Sequence, residues 1–182
     1  DHGRLGPVSV LTLGGGGIGQ VYGRTDRHEA VATVREAVDA GVTFLDVAPT
    51  YGGGEAENVV GEAFGGHLPD GVGIVTKCFI ANDPAPADVV RIFEESLRLS
   101  FARTRLSQVD LFLLHGPLIP GDTSLPFKGT SRKLFIDAAR PALERIVERG
   151  YARYWGMTAV GFPDVLLASL DETPRPAAVQ AV

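Results

Sequence analysis

The chain has 182 residues, of which 45% are hydrophobic and 21% charged, a balance typical of a globular protein with a substantial core. The formal net charge is −5 and the basic residues are scattered, which argues against a nucleic-acid-binding surface. One cysteine excludes an intrachain disulfide, the four histidines lack zinc-ligand spacing, and no apolar run is long enough to span a membrane. We therefore expect a cytoplasmic protein without nucleic-acid, membrane or metal partners.

The first predicted elements surround a run of glycines. Residues 8–13 are an apolar segment that we interpret as a hairpin arm leading into the first strand. The run Gly14 to Gly19 then matches the dinucleotide-binding fingerprint G-x-G-x-x-G. A Rossmann fold is disfavoured, because Gln20 to Thr25 separate the glycines from the helix signal at Asp26. The run is therefore either a tight turn or a loop that faces a cofactor.

The rest of the chain alternates helices with apolar strands. We predict helices over residues 26–40, 55–64, 87–101, 138–149 and 163–170, and strands over residues 42–47, 72–76, 109–114, 151–157 and 177–182. Residues 116–132, rich in Gly, Pro, Ser and Thr, are predicted to form a long loop. This alternation predicts a parallel sheet covered by helices, and the spacing of the strands is typical of a (β/α) barrel.

Three successive strands deliver an ionisable residue to their carboxyl ends. These residues are Asp46, Lys77 and His115, and Tyr51 follows Asp46 in a glycine-containing loop. Barrel enzymes carry their active sites at this end, and adjacent strands lie about 4.8 Å apart, so we expect the four side chains to be neighbours. An unpaired buried carboxylate costs several kcal/mol, so Asp46 needs a partner such as Lys77. The alternative is a structural ion pair beside an unrelated tyrosine.

Together these side chains have the chemistry to polarise a carbonyl group. An ammonium beneath the Tyr51 phenol favours release of the phenol proton, which makes Tyr51 a candidate general acid. His115 can donate a hydrogen bond to the same carbonyl oxygen. These groups supply no reductant, so the hydride has to come from a bound cofactor.

Several segments resemble the aldo-keto reductase superfamily. The resemblance is carried by residues 45–52, Glu55, and residues 74–77, 109–115, 150–158 and 179–180. It implies an α/β fold, the (β/α)8 TIM barrel, and an oxidoreductase that interconverts carbonyl and alcohol groups with NADP or NAD. The contexts of Pro49 and of His115-Gly116-Pro117 resemble the aldose (sugar) dehydrogenase branch. A small-molecule carbonyl compound or a sugar is then the expected substrate.

The resemblance also assigns roles to individual residues. It implies catalytic roles for Asp46, Tyr51, Lys77 and His115, and nicotinamide carboxamide binding by Thr158 and Gln180. Tyr51 is then the acid, Lys77 and Asp46 tune it, and His115 orients the substrate. The usual Ser-Asn pair of the fifth strand is Thr158-Ala159 here, so one carboxamide contact is lost.

The length of the chain departs from the family, which needs eight strands. The sequence ends in the sixth predicted strand, so we interpret residues 1–182 as one barrel domain that supplies about six β/α units. It is then either truncated or completed by another chain, as in a homo-oligomer. A nucleotide-binding regulatory subunit and an inactive barrel fragment are the alternative functions, and the intact set of four site residues favours the enzyme.

Overall fold

The computed structural model describes residues 5–80, 82–121 and 128–181. Its strands are β1 (Leu13–Gly14), β2 (Phe44–Asp46), β3 (Gly73–Phe79), β4 (Val109–His115), β5 (Pro117–Ile119), β6 (Thr130–Ser131), β7 (Ala152–Thr158), β8 (Val160–Gly161) and β9 (Ala178–Gln180). The main sheet has the order β1-β2-β3-β4-β7-β9, and each neighbouring pair is parallel. A small second sheet has the order β6-β5-β8.

Helices alternate with the strands of the main sheet. They are α1 (Arg27–Asp39), α2 (Glu55–Phe64), α3 (Val89–Thr104), α4 (Arg132–Leu134), α5 (Arg140–Glu148) and α6 (Pro163–Leu170). A 3₁₀ turn, Pro86–Asp88, precedes α3, and a π-helical segment, Phe135–Ala139, joins α4 to α5. The parallel sheet curls into part of a barrel with the helices outside it, which confirms the predicted partial (β/α)8 architecture. No helix in the described ranges is long and apolar enough to cross a membrane.

Apolar side chains are buried on both faces of the sheet, which explains why its strands are almost continuously hydrophobic. Between sheet and helices, Phe93 packs edge-to-face on Phe112 with ring centroids 5.5 Å apart. Both rings are fully buried, and such a ring contributes about 2–3 kcal/mol by leaving water. A smaller cluster on the other face lines the inside of the barrel and consists of Phe44, Val75, Leu111 and Leu113.

The helix predictions succeed best where the ends of a helix are marked in the sequence. The Asp26 carboxylate accepts hydrogen bonds from the N–H groups of His28 and Glu29, and so caps α1. Gly65 has a φ of 63° and ends α2, as expected of a glycine after a helix. The bounds of α2 and α6 agree with the predicted ranges 55–64 and 163–170.

The prediction of a hairpin arm over residues 8–13 is wrong, because only Leu13–Gly14 is in a strand. The segment before it is held by side chains instead. The Ser9 N–H donates to Thr43 Oγ1 at 2.7 Å, and the Thr43 N–H donates to Ser9 Oγ at 2.8 Å. Val10 is 99% exposed, so the apolar residues of this segment do not form a sheet face.

Residues 116–132 were predicted as a loop, and this is only partly correct. The segment contains β5 and β6, which pair with each other, and β5 also pairs with β8. The following helical segment begins at Arg132 rather than at 138, because the Ser131 hydroxyl accepts a hydrogen bond from the Leu134 N–H at 3.0 Å. The last strand is shorter than the predicted range 177–182, and Val182 lies outside the described residues.

Candidate active site

A turn of four residues returns the chain over the end of β2. The Tyr51 N–H donates to the Ala48 carbonyl oxygen at 3.0 Å, and Gly52, Gly53 and Gly54 follow with φ values of 66°, 65° and 97°. Three successive residues in the left-handed region need glycine, since a Cβ is strained there. The turn therefore places the Tyr51 ring beside the carboxyl ends of the strands and starts α2 directly afterwards.

Lys77 is the centre of the site. Its side chain is fully buried and its ammonium forms an ion pair with Asp46 Oδ1. The same ammonium donates to the Tyr51 hydroxyl oxygen at 3.0 Å and to the Val47 carbonyl oxygen at 3.2 Å. An ammonium has three N–H donors, so this arrangement satisfies every one of them. The Tyr51 oxygen is the acceptor in its contact, which leaves the phenol O–H to point away from the lysine.

The prediction that the third strand ends at Lys77 is wrong, because β3 continues to Phe79. Asp46 is aligned with Val75, and His115 is aligned with Phe79. With a rise of about 3.3 Å per residue, the three ionisable residues therefore occupy successive levels rather than one. The ion pair with Asp46 stabilises the Lys77 ammonium inside the barrel. Strand β3 therefore continues past this charged residue.

His115 is the last residue of β4 and approaches Tyr51 edge-to-face. The two ring centroids are 6.1 Å apart and the ring planes are 89° apart. Burial lowers the pKa of His115 from 6.5 to about 4, the positive charge of Lys77 adds to this, and Asp46 opposes it. The imidazole is therefore neutral at neutral pH, with one N–H donor and one nitrogen acceptor.

The two predicted carboxamide-binding residues have different surroundings. Thr158 and Gln180 are aligned on neighbouring strands, β7 and β9. The Gln180 amide donates to the second oxygen of Asp46 at 2.7 Å, so Gln180 joins the group centred on Lys77. Thr158 is buried and faces the backbone around His115. Its hydroxyl oxygen accepts from the Gly116 N–H at 2.9 Å and lies 3.4 Å from the Leu114 carbonyl oxygen.

A cavity of about 310 Å³ opens on the inner face of the sheet, beside the ion pair. Its walls combine apolar side chains with a few polar groups, and they include Gly14, Phe44, Asp46, Val75, Leu113 and Gln180. Mostly apolar walls with a small number of placed polar groups are usual for small-molecule sites. Among the described residues, no cluster of His, Cys, Asp and Glu could hold a metal ion.

Sequence reasoning missed a buried network behind the site. Glu57 is fully buried and accepts from the Thr76 hydroxyl at 2.7 Å and from Arg103 at 2.8 Å. Glu57 therefore links α2 to β3 and α3, and its partner Thr76 directly precedes Lys77 in the chain. The sequence separations of 19 and 46 residues leave no local pattern that could have revealed these contacts.

The sequence profile of the aldo/keto reductase family matches residues 10–182. The chain belongs to the aldo-keto reductase family. Two relatives are 30% identical to it: L-galactose dehydrogenase of Arabidopsis thaliana, over 170 residues, and methylglyoxal reductase YeaE of Escherichia coli K12, over 160 residues. These matches cover 92% and 88% of this aldo-keto reductase chain, and 49% of each relative.

The fold of this chain is similar to that of solved structures of the family. A crystal structure of an aldo/keto reductase from Klebsiella pneumoniae in complex with NADP and acetate superposes with a TM-score of 0.66 at 28% identity. The match covers 91% of this chain and 50% of that chain. The chain thus spans about half the length of the curated relatives that it matches.

Proposed function

We propose that this chain carries the acid–base residues of an NADP- or NAD-dependent oxidoreductase that interconverts a carbonyl group and an alcohol. One observation carries the proposal: a buried ammonium, on Lys77, contacts both the Asp46 carboxylate and the Tyr51 hydroxyl oxygen. A purely structural ion pair between Lys77 and Asp46 does not need the additional contact with the Tyr51 hydroxyl. The phenol beside that ammonium is the general acid in the direction of reduction.

The proton transfer follows from these contacts. In reduction, a bound nicotinamide cofactor would supply hydride to the carbonyl carbon, the electron pair of the C=O π bond would move to oxygen, and that oxygen takes the proton of the Tyr51 hydroxyl. The phenolate that remains is stabilised by the Lys77 ammonium, whose charge Asp46 balances. In oxidation the same phenolate accepts the alcohol proton. Tyr51 therefore acts as acid and base in the two directions.

His115 has a different role in the same step. Because its pKa is lowered to about 4, His115 is not an imidazolium at neutral pH and is not the general acid. Its neutral ring still offers one N–H, which can donate to the carbonyl oxygen from the edge of the Tyr51 ring. His115 orients and polarises the carbonyl group, and the proton comes from Tyr51.

Gln180 fits a contact with a nicotinamide cofactor, which would supply the hydride when bound. Gln180 lines the cavity next to Asp46, whereas Val75 and Leu113 in the same wall belong to the cluster inside the barrel. The Gln180 nitrogen is bonded to Asp46, which leaves the amide oxygen as an acceptor for a carboxamide N–H. Thr158 fits this role less well, because its hydroxyl contacts the backbone near His115.

The relatives support the class of cofactor and substrate. NADP is bound in the Klebsiella pneumoniae structure, and the names of the two relatives refer to a sugar, L-galactose, and to a small carbonyl compound, methylglyoxal. A small aldehyde, ketone or sugar is accordingly the substrate class that we propose.

The proposal is tested with Tyr51→Phe and, as a matched control, Tyr151→Phe, whose ring packs on Phe101 far from the site. Both variants and the parent chain are mixed with NADPH and small aldehydes, ketones or sugars, and the loss of NADPH absorbance is followed. We expect Tyr51→Phe to lose at least about 100-fold in turnover while keeping its affinity for NADPH, and Tyr151→Phe to match the parent.

Three outcomes overturn the proposal. Parent-like turnover in Tyr51→Phe removes the acid role from Tyr51. A parent chain that quenches NADPH fluorescence but reduces no substrate is a nucleotide-binding regulatory subunit. A chain that neither binds NADPH nor turns over is an inactive fragment of the barrel.

A further inference from the structure

The glycine run of the sequence lies against the segment that carries Asp46 and Tyr51. Residues 15–22 form a turn directly after β1. At its start, the Gly15 N–H donates to the Asp46 carbonyl oxygen at 2.7 Å. Within the turn, the Gly19 N–H donates to the Gly15 carbonyl oxygen at 2.8 Å. The turn is thus attached at one end to the backbone of Asp46, and it reaches Tyr51 at Gly19.

The contact between Gly19 and the tyrosine segment leaves no room for a side chain. A Cβ on Gly19 would lie 2.9 Å from the Cβ and the carbonyl oxygen of Tyr51, and also 2.9 Å from the Gly15 carbonyl oxygen within the turn. From the other side, a Cβ on Gly52 would lie 2.1 Å from the Gly19 carbonyl oxygen. Gly19 is not in the left-handed region, so its backbone conformation does not require glycine. The close approach of Tyr51, together with that of the Gly15 carbonyl oxygen, does.

The far side of the tyrosine turn is also held. Glu55, four residues after Tyr51, accepts two hydrogen bonds from the guanidinium of Arg27 on α1. The Ala56 N–H donates to the Tyr51 carbonyl oxygen at 3.3 Å. Tyr51 therefore lies between the Gly19 backbone on one side and the start of α2 on the other.

We propose that Gly19 is a positioning residue, which sets the Tyr51 phenol over the Lys77 ammonium through backbone contact. To bring a methyl group at position 19 into ordinary contact at 3.4 Å, Tyr51 and the turn must separate by about 0.5 Å. A shift of this size weakens the 3.0 Å hydrogen bond between Lys77 and the Tyr51 hydroxyl. Gly19 then contributes to catalysis by holding Tyr51, the proposed general acid, in position. The consequence for catalysis rests on the function proposed above.

The test compares Gly19→Ala with Gly17→Ala, because a Cβ on Gly17 meets no atom within 4 Å. The chain has four tyrosines, so labelling them with ¹³C at Cζ gives a small set of NMR signals. Tyr51→Phe identifies the signal of Tyr51. We expect Gly19→Ala to shift that signal and to leave those of Tyr151 and Tyr154 in place, whereas Tyr22 belongs to the same turn as Gly19. Gly17→Ala should move none of them.

A kinetic measurement separates positioning from a general structural effect. We expect Gly19→Ala to lower kcat about 10- to 100-fold, the range associated with a displacement of about 1 Å or less at a reacting group. KM for the carbonyl substrate and the affinity for NADPH should stay within about twofold of the parent values, because Gly19 acts through Tyr51. If the parent chain has no turnover, the proposed function fails, and the NMR comparison still decides the role of Gly19.

The proposal is overturned if Gly19→Ala folds and neither the Tyr51 signal nor kcat differs from Gly17→Ala. Should Gly19→Ala not fold, the parent chain supplies the deciding measurement. The close contact predicts a nuclear Overhauser effect between the Gly19 Hα and Tyr51 Hβ protons, and slow exchange of the Gly15 amide proton. Absence of that Overhauser effect in the parent chain refutes the contact.

Discussion

Two parts of the barrel rim meet at Tyr51, and they hold their ionisable side chains in opposite charge states. On β2 and β3, Asp46 and Lys77 are buried as an ion pair, and the ammonium also contacts the phenol. On β4, His115 is half-buried and feels the charge of the same ammonium, and its pKa falls to about 4. The first part contains opposite charges in direct contact, whereas the second contains a neutral ring.

The difference shows how one site contains both a charged lysine and a neutral histidine. Burial disfavours any charged form, and an opposite charge at hydrogen-bonding distance restores it. Lys77 has such a partner in Asp46. His115 faces the positive Lys77 more strongly than the negative Asp46, so the local charge adds to the effect of burial. Burial, reinforced by the charge of Lys77, thus keeps the histidine neutral, and a neutral histidine is a hydrogen-bond donor that does not compete with Tyr51 as acid.

The largest effect should come from removing the ammonium. Lys77→Met leaves the Asp46 carboxylate, whose side chain is 14% exposed, with Gln180 as its remaining donor. Breaking a buried ion pair by removing one partner typically costs about 3–5 kcal/mol, and we expect a loss of that size in the free energy of unfolding at pH 7. Urea denaturation of the variant and of the parent chain measures it.

Two controls sharpen this prediction. Arg98→Met removes an exposed ion pair with Glu95 on α3 and should leave the unfolding midpoint unchanged. The double variant Asp46→Leu/Lys77→Met should recover most of the lost stability, because no charge is then left buried alone. If Lys77→Met is no less stable than Arg98→Met, the two parts of the rim do not differ as described.

The second prediction concerns the neutral histidine. As pH falls, the unfolded chain protonates His115 near 6.5, whereas the folded chain protonates it only near 4. The contribution of His115 to stability is therefore present above about pH 6.5 and is lost as pH falls to 4. His115→Gln should flatten the stability curve in this window, and His28→Gln, at an exposed position, should not.

NMR titration of the histidine rings measures the pKa directly. There are four histidines, and His115→Gln identifies the signal that titrates near pH 4. In Lys77→Met the same signal should titrate at higher pH, because the positive charge that lowers the pKa is gone. A His115 signal that titrates at its ordinary pH in the parent chain contradicts the neutral state.

Much of this architecture is readable from local sequence, because local rules govern the ends of helices. Asp26 before α1 and Gly65 after α2 are cap residues, and both act as expected. The small sheet of β5, β6 and β8 has no such signature, since its short strands pair residues that are 12 and 43 positions apart in the chain. Non-local pairing of two or three residues leaves no periodicity to detect.

The candidate site shows the same division. Asp46, Lys77 and His115 were predicted to be neighbours from strand alternation, and the structure brings Asp46 and Lys77 into contact. The positions of these three residues along the barrel axis were not predictable. A lysine within an apolar strand looks like the end of that strand unless its partner is known. The contact of Gln180 with Asp46 spans 134 residues, and chain order alone does not reveal it.

The smallest predicted effect tests how His115 is held. Thr158→Val keeps the shape of the side chain but removes the hydroxyl that accepts from the Gly116 N–H at 2.9 Å. We expect a loss of about 1 kcal/mol in the free energy of unfolding and a shift of the His115 ring signals, because Gly116 follows His115 directly. Thr158→Ser keeps the hydroxyl and should preserve both properties. If Thr158→Val instead weakens NADPH binding and leaves the His115 signals unmoved, Thr158 holds the nicotinamide carboxamide rather than the backbone beside His115.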